Sequence, residues 1–359
     1  MITRATASFA AAYALRFLEV GRTVGVPGYS PPQFTGLGQT LFGVWLRADA
    51  LWYLRIATVG YGHELGAFAF FPMFPLIVRL FRPLFGGNEL LAGLFVASVS
   101  CLVGYCLLYA LVRRMHGPGA ARAAVLGLAV FPTAFFLVAP YGEPVLLLAG
   151  SAALLAIVSG HSRWAAVAGG VAALSRPFGV LIALPMFLLS ARSGKAKARW
   201  ASGGPILAAL GWAVYVGWKT GHFANILSVQ ALWQRQLANP LVTLARGAST
   251  WWQVRGTDLS VYFFFDLATA VFAVVLIAIA VKQRRWALAS YGAAAVLVAF
   301  SSVFPPRPLL SFPRFVLAIF PLFAAYEVVP KKGRIPLALV SVALMFAATA
   351  AYVAARPVF

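Results

Sequence analysis

The sequence predicts an all-α fold, a polytopic transmembrane bundle of about eleven helices. Three observations predict it. Of 359 residues, 62% are hydrophobic and 10% charged, where a soluble domain is nearer half apolar and a quarter charged. The apolar excess is gathered in blocks close to the ~20 residues that cross a bilayer core as a helix. The basic residues, which bring the formal charge to +21, fall in short runs between those blocks, the pattern of loops held in the cytoplasm. Because they line no single soluble face, nucleic acid is excluded as a partner and membrane lipids are expected.

Cys101 and Cys106 share one apolar block, which supports neither a disulfide framework nor a zinc site. The opening MITRATASFAAAYALRFLEVGR has no clear cleavage site, and Arg16 and Glu19 interrupt it too early for a signal-peptide core. It reads as a retained first helix, with Arg16 and Glu19 spaced to pair on one face.

Taken in order, the expected helices are 5–25, 90–112, 122–139, 143–159, 164–174, 178–190, 200–218, 261–281, 286–303, 315–329 and 335–354. The block 164–190 is divided because Ser175-Arg176-Pro177 interrupts it. Proline removes a helix hydrogen bond and disfavours helix in the residue before it. That division also puts the basic runs 113–122, 159–163, 191–199, 282–285 and 331–334, none containing an acid, on one side. The N-terminus then lies inside and the C-terminus outside. Segments 26–89 and 219–260 fall on the outer side; both are amphipathic and aromatic, as interfacial segments are. Within the first, FAFFPMFPLIVRLFRPLF (68–85) reads as a surface helix because of Pro72, Pro75, Arg79 and Arg82. A span there would invert the sidedness of everything after it. The whole chain, 1–359, reads as one integral membrane domain.

Eight acids are present. Asp49, Glu64, Glu89, Glu143 and Asp258 fall outside or at outer helix ends, and Asp266 just inside one. Glu327 is near the cytoplasmic face and Glu19 within the first helix. Any chemistry therefore faces outward. Asp49 has two readings: an N-cap accepting bonds from free helix amides, or a general base at a water-poor interface. Glu143 in PYGEP opens a helix, with Pro144 suited to the first turn and the acid suited to the helix dipole. Arg176 and Arg314 lie at breaks in apolar sequence, SRPFG and FPRF. An arginine near the bilayer is costly without a partner or a task; the plain reading pairs them with Asp266, Glu143 or free carbonyls. Arg235, Arg246 and Arg255, beside Trp233, Trp251 and Trp252, read as interface anchors. His63-Glu64 is too small a set for a metal, His222 reads as a loop residue, and no metal or other cofactor is expected.

Four stretches, in matching order over nearly the whole chain, resemble the PIG-V family of mannosyltransferases and its bacterial relatives. They are RADALWYLRIATVGY…FAFFPMFP, FPTAFFLVAPYGEP, AALSRPFGVL and SFPRFVLAIFPLF. The first is the most specific. The family is of the GT-C type, with an acidic residue in the first outer loop and a lipid-phosphate sugar donor. The resemblance implies that Asp49 is the catalytic base and that Glu143 contacts substrate, and it makes the outer loop 26–89 the one with the catalytic acid. One departure stands out. Ala48 precedes Asp49 where the family has tryptophan, and Trp45 or Trp52 is the expected replacement.

A polyprenyl-phosphate donor leaves an anion behind as the acceptor oxygen attacks the anomeric carbon from the opposite face. That chemistry needs a carboxylate near the nucleophile and a cation near the phosphate, a role that suits arginine. Arg314 and Arg176 are the expected donor-phosphate ligands; Trp52, Tyr53 and Arg47 join Glu143 as expected substrate contacts. The resemblance implies mannose, transferred with inversion to an extracytoplasmic glycolipid, glycan or protein. The Ala, Gly and Arg content and compact loops point to a bacterial plasma membrane. The rival readings are a lipid-linked sugar flippase or small-molecule transporter, and a scaffold for envelope assembly. Against the transporter, no internal repeat supplies a second broken helix.

Overall fold

The computed structural model describes residues 1–21, 24–62, 64–192, 196–223 and 225–356. His63 and part of the basic run 191–199 lie outside the described residues. The chain is all-α, as expected, apart from one two-residue ladder. Among the described residues there are fifteen α-helices: α1 (Ile2–Phe17), α2 (Gly36–Leu41), α3 (Asp49–Val59), α4 (Met73–Phe81), α5 (Glu89–Ala129), α6 (Glu143–Val158), α7 (Ser162–Ala173) and α8 (Ala183–Arg192). There follow α9 (Gly203–Thr220), α10 (Asn225–Leu232), α11 (Pro240–Val254), α12 (Ser260–Lys282), α13 (Trp286–Phe300), α14 (Phe312–Phe315) and α15 (Lys331–Val353).

Three of these, α5, α12 and α15, are long and apolar enough to cross a membrane, and α6 and α13 are shorter apolar helices. In the bundle α5 packs on α6 and on the 3₁₀ segment Val316–Val328, α6 on α7, α7 on α9, and α1 on α15. The core is aromatic at its centre, with Trp45, Tyr53, Tyr141, Phe135, Phe136 and Phe312 all buried. A backbone bond from Gly21 N–H to Ala354 O, 3.1 Å, links the ends of α1 and α15.

The helix count exceeds eleven because the two segments expected on the outer side fold into short helices of their own. Residues 26–89 hold α2, α3 and α4, and 219–260 hold α10 and α11. The nine residues of α4 and the 3₁₀ turn Arg82–Phe85 that continues it together rise about 20 Å, short of a ~30 Å hydrocarbon core, so 68–85 is too short to span as a helix. Two expected boundaries move. The first helix stops at Phe17, not near 25, where Leu18 turns extended. The helices expected at 90–112 and 122–139 are both present within α5, as two helical stretches divided at Gly117, whose backbone (φ 87°, ψ 173°) is non-helical, just before Pro118. α5 ends at Ala129, and Pro132 and Pro140 leave 130–142 as turns and one 3₁₀ segment, since each removes a donor.

The expected break at 175–177 is present. α7 ends at Ala173, Arg176 is extended (φ −156°, ψ 154°), and a 3₁₀ turn, Pro177–Ile182, leads into α8. The chain doubles back so tightly here that a Cβ on Gly179 would stand 1.8 Å from the Ala172 carbonyl oxygen. The small ladder pairs β1 (Gln236–Leu237) with β2 (Ser302–Val303), antiparallel, Gln236 opposite Val303. It ties the second outer segment to the connector between α13 and α14.

Gly179→Ala is expected to destabilise the fold by more than the ~1–3 kcal/mol usual for overpacking, because its obstacle is backbone. A thermal melt in detergent, or the yield of monodisperse protein, measures it.

Candidate active site

Asp49 is the first residue of α3, and the residue before it is strained. Ala48 sits at φ 47°, ψ −130°, a left-handed conformation that costs a non-glycine residue free energy. The N-cap position is therefore Ala48, without a side-chain cap. The Asp49 carboxylate instead accepts a bond from Arg314 Nη1 at 2.5 Å. Arg314 also donates through Nε to Glu143, the first residue of α6. Arg176 Nη1 lies 3.4 Å from the same Glu143 oxygen and 3.3 Å from the Tyr53 hydroxyl. Four charged groups, far apart in sequence, thus form one cluster with no formal net charge. Tyr53 borders it.

The two acids differ in exposure. The Asp49 side chain is 31% accessible and that of Glu143 3%. Glu143 Oε2 is buried without a hydrogen-bond partner, as is Arg314 Nη2. Burying such charges is tolerable because they are paired. The Arg314 guanidinium also stacks within 4.5 Å of the Tyr141 ring and 4.9 Å of Phe136. Its backbone is fixed from two sides: Thr133 Oγ1 donates to Pro313 O at 2.7 Å. Upstream, Arg307 makes a two-pronged pair with buried Asp266, 2.5 and 2.9 Å. Of the plain pairings, that of Arg314 and Arg176 with Glu143 is present, whereas Asp266 is taken by Arg307, which the sequence reading did not single out.

Gly142 is required by close approach. A Cβ there would meet Ser175 O at 2.7 Å, Arg176 Cδ at 3.1 Å and the Tyr53 hydroxyl at 3.2 Å. The start of α6, the break after α7 and the face of α3 therefore meet at one backbone atom. Burial holds the Tyr53 phenol above its usual pKa, with the Arg176 charge opposing, so it stays a protonated hydroxyl.

The remaining sequence candidates are placed differently. Trp52 is half-buried, stacked on Phe70 (5.6 Å between centroids, 8°) and met edge-on by Trp233. Trp45 is 1% exposed and packs near Tyr352; it is core, and does not replace the missing tryptophan at 48. Arg47 is buried, one of its guanidinium nitrogens directed at Gly21 O, 3.5 Å. Its carbonyl accepts from Tyr141 and Tyr352, 3.3 and 3.2 Å. What Arg47 gives the site is a fixed backbone just before Asp49.

One residue near the site was read from sequence only as an interface anchor. Arg235, next to β1, donates to Ser302 O and Leu310 O at 3.5 and 3.3 Å and lies over Phe315. No carboxylate is within 4 Å of it among the described residues. Burial pushes its pKa down to about 10, with Asp49 opposing and the Arg176 and Arg314 charges adding to the fall. The cluster's field thus reaches Arg235. A two-residue ladder gives no sequence signal, which is why the neighbour was not legible. Among the described residues no three His, Cys, Asp or Glu side chains gather into a metal site.

With this geometry in hand, the comparisons with known proteins bear on the fold. The apo crystal structure of ArnT from Cupriavidus metallidurans superposes at TM-score 0.51 and 15% identity, covering 90% of this chain and 58% of that one. The fold is of the GT-C type. Residues 71–218 match a family model described as dolichyl-phosphate-mannose-protein mannosyltransferase; Asp49, Arg235 and Arg314 lie outside that stretch. The Archaeoglobus fulgidus oligosaccharyltransferase AglB, in complex with an inhibitory peptide and a dolichol-phosphate, matches at TM-score 0.43 and 14% identity over 99% of this chain and 55% of its own. The chain spans a little over half the length of these structures. No curated protein matches the sequence.

Arg314→Met is expected to destabilise the protein by about 3–5 kcal/mol, because it strands buried Glu143. The double variant Arg314→Met, Glu143→Met removes both charges and is expected to recover a large part of that loss. Thermal melts of the three proteins in one detergent make the comparison.

Proposed function

We propose that the chain is a membrane glycosyltransferase that moves a sugar from a polyprenyl-phosphate donor to an acceptor on the outer face, with inversion. Asp49 acts as general base. The observation that carries this is the contrast within the cluster: Glu143 is enclosed, while Asp49, held by the same arginine, is open to an incoming molecule. The GT-C fold and the mannosyltransferase family match support the reaction class. Mannose as the sugar rests on the family match and on the PIG-V-like stretches in the chain.

In the proposed step the acceptor hydroxyl oxygen attacks the anomeric carbon and its proton passes to Asp49. The bond from the anomeric carbon to the phosphate oxygen breaks, and the electron pair leaves with polyprenyl phosphate. No proton is needed on that leaving group, so one carboxylate suffices. Charge develops on phosphate, and preorganised cations lower the barrier there. Arg314 is committed to Asp49 and Glu143 through Nη1 and Nε and is buried. Arg176, partly exposed, and Arg235, without an acid partner, are the cations left to meet phosphate. Arginine suits that task because its planar donors match phosphate oxygens and keep their charge. Trp52 and Tyr53 lie on the face of α3 that borders the cluster and supply substrate contacts.

Purified protein supplied with mannosyl phosphoryl polyprenol and a membrane extract is expected to form labelled product. Asp49→Asn should lower turnover by roughly 10²–10⁴-fold in protein that still purifies as a folded, monodisperse species. Sugar-lipid movement across vesicles with no bond formed would replace the enzyme by a transporter.

Arg235→Ala is expected to weaken donor use by roughly ten- to a hundredfold, the cost of a charged hydrogen bond. The loss should fall on the KM for the donor more than on kcat, which initial rates at varied donor concentration resolve.

A further inference from the structure

A second concavity lies away from the charged cluster. It is a groove of about 510 Å³ between α3, α4 and α9, lined by Ile56, Gly60, Arg79, Gly211, Trp212 and Tyr215 among others. Its size is that of small-molecule sites. Tyr53 stands between it and the cluster: its hydroxyl meets Arg176, its ring packs edge-on against Phe70 and Phe74, and Ile56, one turn further along α3, faces the groove.

The walls are apolar and aromatic. Trp212 stacks on Tyr215 and tilts against Tyr61. At Gly60 and Gly211 an added Cβ would meet nothing within 4 Å, so the groove is open where these two residues line it. On α9, Leu207, Leu210, Val214 and Trp218 are exposed, as suits a helix facing lipid.

Two polar features break the apolar lining. Trp212 is 3% exposed, and its indole N–H is buried without a partner. A buried donor left unpaired is costly, and an acceptor oxygen supplied by a ligand satisfies it. Arg79, the one charged residue of the lining, is exposed and bonds weakly to Thr58 O, 3.5 Å. No carboxylate is within 4 Å of it among the described residues, whereas neighbouring Arg82 has Glu89 at 3.9 Å.

We propose that this groove binds one anionic phospholipid of the bilayer. An acyl chain lies between α3 and α9, a headgroup or ester oxygen accepts from Trp212 Nε1, and the phosphate pairs with Arg79. The bound lipid braces α4 against α9 and so steadies α3, which carries Asp49. The donor lipid is a poorer fit, because its phosphate has to reach the cluster on the far side of Tyr53.

The test uses the whole protein purified in detergent, with dioleoyl phosphatidylglycerol and dioleoyl phosphatidylcholine as probes and native mass spectrometry as the readout. Wild type is expected to retain one phosphatidylglycerol about fivefold more tightly than phosphatidylcholine, the effect of one basic residue near a membrane surface. Arg79→Ala is expected to level the two lipids, and Gly211→Trp to abolish tight retention of both. Should Gly211→Trp not fold, the exposed Arg79 variant still decides. Equal retention by wild type, selectivity that survives either substitution, or displacement of the bound lipid by polyprenyl phosphate overturns the proposal. Because the readout is binding, the result is independent of sugar transfer.

Discussion

Arg314 joins α3 to the start of α6 through a single guanidinium, with Asp49 on one side and Glu143 on the other. The two carboxylates belong to helices separated by α4 and the whole of α5, and the guanidinium is what bridges them directly. A buried arginine must be compensated, and two acids plus two aromatic faces do so here. The surrounding structure is arranged to keep that nitrogen fork in place. Thr133 holds the Pro313 carbonyl, the Arg307–Asp266 pair anchors the preceding loop to α12, and Ser311 takes a left-handed φ of 69° to start α14.

The same constraint sets the shape of the outer loop. Asp49 faces the cluster only because Ala48 accepts a strained backbone, and such strain persists where neighbours over-determine it. Arg55 on the far side of α3 donates to Pro27 O at 2.8 Å, and Tyr29 donates to Glu89 at 2.9 Å. Both bonds tie residues 26–35 to the helices that frame the cluster. Residues 26–89 therefore form a folded layer where described. For the proposed reaction that order matters, because an error of about 1 Å in the position of a reacting group can cost on the order of a hundredfold in rate.

Much of the fold was legible in the sequence because its signals are local. Apolar blocks gave the long helices, and Pro177 gave the break after α7. The prolines and arginines of 68–85 marked a helix that does not span. The misjudged boundaries had weaker local signals. Gly117-Pro118 marks the division within α5 as the sequence suggests, whereas Leu18, where α1 stops, carries no stop signal at all. In the site, Asp49, Glu143, Arg176 and Arg314 were visible as lone charges in apolar surroundings. Their pairing was not, since it spans 171 and 265 residues of sequence and no periodicity encodes it. Trp45 and Trp52 looked equivalent as replacements for the tryptophan missing at 48, and only packing shows Trp45 to be core.

The central claim is geometric: the open carboxylate of the cluster is where the acceptor is activated, and Arg176 and Arg235 beside it receive the donor phosphate. An experimental structure with an unreactive polyprenyl-phosphate sugar analogue tests it most directly. The account predicts the phosphate against Arg176 and Arg235, and the anomeric carbon facing Asp49 with space for one hydroxyl in hydrogen-bond reach. A phosphate seated elsewhere, or a sugar whose anomeric carbon turns away from Asp49, contradicts it.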